Sequence, residues 1–118
     1  MSLQQPHNEI LIEIEGAAAV LDIKGDITAF SESPLGEAYC SASAQGAKNL
    51  VLKIEKEAYI NSGGIAVLIQ ILAQTRRNDQ RVAITGLSEH FKKIFTMVGI
   101  TKFADVFDSM ETALEALQ

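Results

Sequence analysis

The sequence predicts an α/β domain built on a mixed, largely parallel β-sheet with about four helices, and three observations predict it. Apolar and polar residues alternate with the period of a strand over Glu9–Glu15, and again through Ala19, Leu21 and Ile23. Leu50, Val51 and Leu52 form an unbroken apolar run, the pattern of a central strand covered on both faces. The segments between and after these strands carry helical spacing, so the order reads ββαβαβαβα, with right-handed crossovers and one antiparallel hairpin at the edge. At 118 residues the chain is sized for a single domain.

Each element has its own signal. In the first strand Ile10, Ile12 and Ile14 alternate with Glu9, Glu13 and Glu15, Gly16 supplies a turn, and the second strand ends at Gly25-Asp26. Ser33-Pro34 resembles an N-cap followed by proline at the first helical position, and Leu35, Ala38, Tyr39 and Ala42 continue at helical spacing. After the strand Asn49–Ile54, Asn61-Ser62-Gly63-Gly64 opens a long helix in which Ile65, Leu68, Ile69 and Leu72 form one stripe, widened by Val67 and Ile71. Arg76 and Arg77 suit the negative C-terminal end of that helix. A strand over Arg81–Thr85 follows. Ser88 begins a helix carrying Phe91, Ile94, Phe95 and Val98, with Gly99 placed to end it. Phe103–Phe107 can form a short last strand, and Asp108 with Glu111 has the spacing of a capping pair that opens a terminal helix through Met110, Ala113, Leu114 and Leu117. Residues 1–8 read as a flexible lead-in and residues 9–118 as the domain.

Composition narrows the function. With 47% hydrophobic and 21% charged residues the chain has an ordinary globular balance. Fifteen acidic against ten basic residues give a net charge of −5, which repels a phosphate backbone, so nucleic acid is excluded as an expected partner. Cys40 has no second cysteine to pair with, which suits a reducing compartment, and no apolar run approaches the roughly 18–20 residues of a membrane span. The start lacks a basic segment followed by an apolar one, so the expectation is a cytoplasmic protein without membrane attachment.

Chemistry-bearing motifs are scarce. His7 falls in the lead-in, His90 reads as an exposed residue beside Phe91, and Cys40 as a small, partly buried apolar residue. They form no metal-ligand spacing. The chain carries no G-x-S-x-G elbow, no G-x-G-x-x-G and no phosphate-binding loop ending in G-K-[ST], so neither an enzyme nor a bound cofactor is expected.

One segment stands out. Ser62 lies at a strand-to-helix junction, followed by two glycines and no bulky side chain. Two readings are open. Amides at a helix N-terminus would stabilise an anionic group on or near Ser62 by about 0.3–1 kcal/mol, and up to about 2 in favourable geometry. Alternatively Ser62 is only an N-cap, with Gly63 and Gly64 permitting tight packing of helix on sheet.

The stretch Tyr59-Ile60-Asn61-Ser62-Gly63-Gly64-Ile65-Ala66-Val67-Leu68, following an apolar strand, resembles the signature of STAS domains, the family of anti-sigma factor antagonists. Gly25-Asp26-Ile27 is similar to that family's glycine-acid-apolar turn. Leu87-Ser88 through Val98-Gly99-Ile100 to Phe103 resembles its tail of helix, glycine, short strand and terminal helix, so the likeness spans roughly residues 9 to 117. The resemblance implies a single-domain STAS fold and a non-enzymatic partner-switching role. In it, the serine of a D-S-[ST]-G motif, matched here by Ser62, is phosphorylated by a kinase that is also the anti-sigma factor. Asn61 stands where the family has aspartate, and Gly63 where it has serine or threonine. The implied partners are an anti-sigma factor/serine protein kinase and a separate serine phosphatase, with the domain itself a monomer or weak dimer. Because loops that follow parallel strands gather at one end of an open α/β sheet, the partner surface is expected to comprise Gly25, Asp26, Thr28, Ser31 and Glu32 together with Asn61, Ser62, Gly63 and Gly64. The alternative is a STAS scaffold subunit of a larger signalling assembly with no direct sigma-factor output.

Overall fold

The computed structural model describes residues 8–117, so most of the expected lead-in, residues 1–7, lies outside the described residues. Strands β1 (Glu9–Glu15) and β2 (Ala18–Lys24) form the antiparallel hairpin, turning through Gly16 at a φ of 64°. Strands β3 (Asn49–Ile54), β4 (Arg81–Thr85) and β5 (Asp105–Phe107) follow β2 in parallel, giving a five-stranded sheet in the order β1-β2-β3-β4-β5. Helices α1 (Glu32–Ala44), α2 (Ser62–Arg77), α3 (Glu89–Met97) and α4 (Met110–Ala116) complete the ββαβαβαβα order.

The period of two along the strands sends alternate residues to two cores. Leu21, Leu52 and Ile84 meet Leu35, Leu68 and Phe95 under α1, α2 and α3, whereas Val20, Val51 and Ala83 meet Ala113 of α4 and Leu117 just beyond its end. Leu50, Val51 and Leu52 are all fully buried, as a central strand requires.

Three boundaries and one helix face differ from the sequence reading, each for a local reason. The first helix does not open at Ser33-Pro34. Thr28 caps a 3-10 turn over Ala29–Ser31, and α1 starts at Glu32, so Pro34 lies in the first turn, where its missing N–H removes no helical bond. In α2 the buried residues are Gly64, Val67, Leu68, Ile71, Leu72 and Thr75, while Ile69, expected in the core stripe, is 45% exposed. The last strand is only Asp105–Phe107, because Gly99 at φ 87° leads into a 3-10 turn over Ile100–Lys102. Helix α4 is capped by Ser109, whose oxygen accepts from Thr112 N at 3.2 Å, and not by Asp108, which pairs with Lys92 instead.

Three single residues also depart from expectation. Asn8, placed in the flexible lead-in, is buried, and Cys40 is exposed where a partly buried residue was expected. Val98, placed on the apolar face of the third helix, is 47% exposed just beyond its end.

Candidate functional site

The loops that follow β2 and β3 meet at the C-terminal end of the parallel strands, the end at which open α/β sheets carry their sites. Ile27 and Ile60 form a short parallel bridge, with Ile27 N donating to Tyr59 O at 2.9 Å and Asn61 N to Ile27 O at 3.2 Å. Side chains reinforce it. Tyr59 N donates to Asp26 Oδ1 at 2.9 Å, and Gly25 N donates to Glu55 Oε1 at 2.7 Å. From outside the expected domain boundary, Asn8 Nδ2 donates to the carbonyls of Lys24 and Asp26 at 2.8 and 2.9 Å. Gly25 and Asp26 therefore brace the two loops against each other. Asn8 and Glu55, which sequence reasoning missed, do the same work.

This brace sets how closely α2 can approach. A Cβ on Gly64 would stand 2.0 Å from the carbonyl oxygen of Ile27, an impossible contact, so only glycine lets the helix begin there. A Cβ on Gly63 would stand 3.0 Å from Ala29 N, tight enough that the 3-10 turn would have to shift slightly. Gly63 thus lets that turn pack directly on the helix start.

The helix start is capped by Asn61, not by Ser62. Asn61 is extended, with φ −94° and ψ −177°, and its Oδ1 accepts from Gly64 N at 2.9 Å. The amide oxygen does here what a carboxylate oxygen would do, without the charge. Ser62 becomes the first residue of the helix. It is exposed, and among the described residues its hydroxyl has no hydrogen-bond partner and neither do the N–H groups of Ser62 and Gly63. Three unengaged polar groups, one of them the nucleophilic hydroxyl of an exposed residue, lie at the positive end of a 16-residue helix.

The other predicted surface residues divide. Glu32 and Asp26 are exposed, and Thr28 is half-buried with its Oγ1 accepting from Phe30 N. Ser31 is a correction: it is 1% exposed, and its Oγ accepts from Thr28 N at 3.0 Å, so it belongs to the capped turn rather than to a partner surface. Two aromatic residues flank the site that sequence reasoning did not single out for contact. Phe30, next to the residue that touches Gly63, is 50% exposed, and Tyr59 is 61% exposed with its ring edge-on to Phe91. Phe30 had a readable signal, as an aromatic residue in a polar loop outside any apolar period.

A family model described as "Mlab, STAS domain" matches residues 10–110. The chain belongs to the STAS domain family. It is 20% identical over 89 residues to a protein of Staphylococcus aureus named anti-sigma-B factor antagonist, covering 75% of this chain and 82% of that one. Its fold is similar to that of a putative anti-sigma factor antagonist from Thermotoga maritima, with a TM-score of 0.79 at 13% identity over 92% of this chain and 93% of the other. It is also similar to the Bacillus cell fate determinant SpoIIAA in the phosphorylated form, with a TM-score of 0.67 at 15% identity over 93% of this chain and all of the other. The STAS fold and its mixed, mostly parallel sheet are thus established for this chain. Among the described residues no helix is long and apolar enough to cross a membrane.

Proposed function

We propose that this STAS domain is a non-enzymatic partner-switching regulator, an anti-sigma factor antagonist of the cytoplasm. Its docking to an anti-sigma factor with serine kinase activity is switched off by phosphorylation of Ser62 and restored by a separate serine phosphatase. The observation that carries the reading is the exposed, unengaged Ser62 hydroxyl on the first turn of α2. The names of its relatives, antagonists of anti-sigma factors and one in a phosphorylated form, support it.

The mechanism is electrostatic. Phosphorylation adds about −1.5 to −2 charges and three acceptor oxygens. The free N–H groups of Ser62 and Gly63 can accept that anion without unfolding the helix. The surrounding surface changes little in shape, so the effect falls on the partner. A phosphate trapped against a docked surface without compensation costs several kcal/mol. Because about 1.4 kcal/mol is a tenfold change in affinity, a penalty of about 3 to 4 kcal/mol releases the partner. The domain acts as a monomer or weak dimer.

The test is incubation with the cognate kinase and ATP followed by phosphopeptide mass spectrometry. Label on Ser62 that disappears in Ser62→Ala is expected, and equal label on Ser62→Ala would place the modification elsewhere, for example on the exposed Ser33. A second reading, a scaffold subunit of a larger signalling assembly, is favoured by Asn61, which leaves this helix start without the carboxylate of the family motif. A scaffold elutes as a large particle in size-exclusion chromatography, and a partner-switching domain as a monomer or dimer.

A further inference from the structure

Helix α2 carries a second feature two turns beyond Ser62. No charged residue occurs from Ser62 to Thr75, and the solvent side presents Ala66, Ile69, Gln70 and Ala73. Beyond them a cavity of about 230 Å³ opens between the helix and Phe103, floored by Ile69, Leu72 and Ala73. Ile69 and Phe103 are 45% and 49% exposed, so two large apolar side chains flank an unfilled space. Arg76 and Arg77 complete its lining. The Arg76 guanidinium lies 4.9 Å from the Phe103 ring centroid, a stacking that orients its fork. Among the described residues neither arginine has a carboxylate within 4.0 Å, on a chain whose net charge is −5.

Size and charge decide what fits. The cavity is smaller than the roughly 300–1,000 Å³ of pockets that enclose a whole small-molecule ligand, and suits a single large apolar side chain. Two arginines in its lining, neither paired with a carboxylate among the described residues, select carboxylates, which guanidiniums hold bidentately. We infer that this groove receives an anchor from a partner protein: a Leu, Ile or Phe side chain flanked by Asp or Glu. From Ser62 the helix rises about 10 Å to Ile69 and about 21 Å to Arg76, so one standard interface of about 800 Å² a side spans both. The inference rests on α2 being the partner-binding side of the domain, and does not require that Ser62 be phosphorylated. It supplies what the switch alone lacks, a permanent determinant of which partner docks.

Short random peptides displayed on phage and selected against the immobilised full chain test it. Enriched sequences should combine a large apolar residue with adjacent acids. A synthetic copy should bind the double variant Arg76→Glu, Arg77→Glu about tenfold or more weakly, while binding Ser62→Asp as well as it binds the unmodified chain. Enrichment no greater than that on Ile69→Asp, peptides that bind the double variant equally, or peptides weakened as much by Ser62→Asp would each overturn it. If phosphorylation proves irrelevant to the partner but these peptides still require the arginines, the groove stands and only the switch falls.

Discussion

Two helices start at the same end of the sheet with a residue of opposite character in the same place. Helix α3 is capped by Ser88, whose Oγ accepts from Phe91 N at 3.3 Å, and its first residue is Glu89, an anion already tied to Lys92. Helix α2 is capped by Asn61, and its first residue is Ser62, neutral and untied. Both starts rest on a glycine pressed against a neighbouring carbonyl: Gly64 on Ile27, and Gly86, at φ 91°, on Ile54. The difference teaches what leaves a serine hydroxyl without a structural duty. At Thr28, Ser31, Ser88 and Ser109 the hydroxyl oxygen accepts a backbone N–H and holds a turn together. At Ser62 a neighbour has taken over that duty, so the hydroxyl can acquire a charge without loosening the fold.

The largest effect should fall on the shared feature. Gly64→Ala or Gly86→Ala puts a Cβ 2.0 or 1.7 Å from a carbonyl oxygen, and each should lower stability by more than about 3 kcal/mol in urea denaturation. Gly36→Ala, where a Cβ meets nothing within 4 Å inside α1, should be neutral or stabilise by up to about 1 kcal/mol. Equal tolerance at all three positions would show that the close approaches do not fix the helix starts.

The caps come next. Asn61→Ala and Ser88→Ala should each cost about 1 kcal/mol, whereas Ser62→Ala should stay within about 0.5 kcal/mol of the parent. A cost for Ser62→Ala as large as for Ser88→Ala would mean that its hydroxyl is engaged after all. Asn61→Asp should keep the cap and add a charge at the helix N-terminus, raising stability by about 0.3–1 kcal/mol at low salt, an increment that added salt erodes.

How far these distinctions could be read beforehand depends on their range in sequence. The alternation of Ile10 and Ile12, both packed against the core, and the run Leu50 to Leu52 are local patterns that packing obeys, so the edge hairpin and the central strand were legible, whereas Ile14, which continues the alternation, is 48% exposed. Which of Asn61 and Ser62 caps α2 was not, because both residue types cap well. The fold decides it: Asn61 is extended and its Oδ1 accepts from Gly64 N. The braces from Asn8 to the loop after β2 and from Glu55 to Gly25 join residues distant along the chain, where no spacing rule reaches. Sheet topology placed Ser31 on the expected partner surface, and its burial is revealed only by the fold.

The smallest effect concerns the permanent anion of α3. Lys92, through hydrogen bonds and charge, holds the Glu89 and Asp108 carboxyls below their ordinary values of 4.5 and 3.8. Hydrogen bonds to Asp108 and then Glu89 hold Lys92 above its ordinary 10.5. For depressed carboxyls the contribution is present above those ordinary values and fades as the pH falls below them. For the raised lysine it is present below 10.5 and fades as the pH climbs beyond. Glu89 and Asp108 are exposed and Lys92 is half-buried at the surface, so the effect is weak and screened. Stability of Lys92→Met followed from neutral to acid pH should decline less steeply than that of the parent, and identical profiles would remove any role for the cluster.

The most direct measurement is calorimetric titration of the cognate anti-sigma kinase with three forms of the chain. Affinity should fall from the unmodified protein to Ser62→Asp and again to phospho-Ser62. The carboxylate should cost about 1–3 kcal/mol, because it offers one charge and two oxygens where the phosphate offers about −1.5 to −2 charges and three. All three forms should remain folded, since the helix start accepts the charge. Equal affinity for all three would contradict the assignment of Ser62 as the switch.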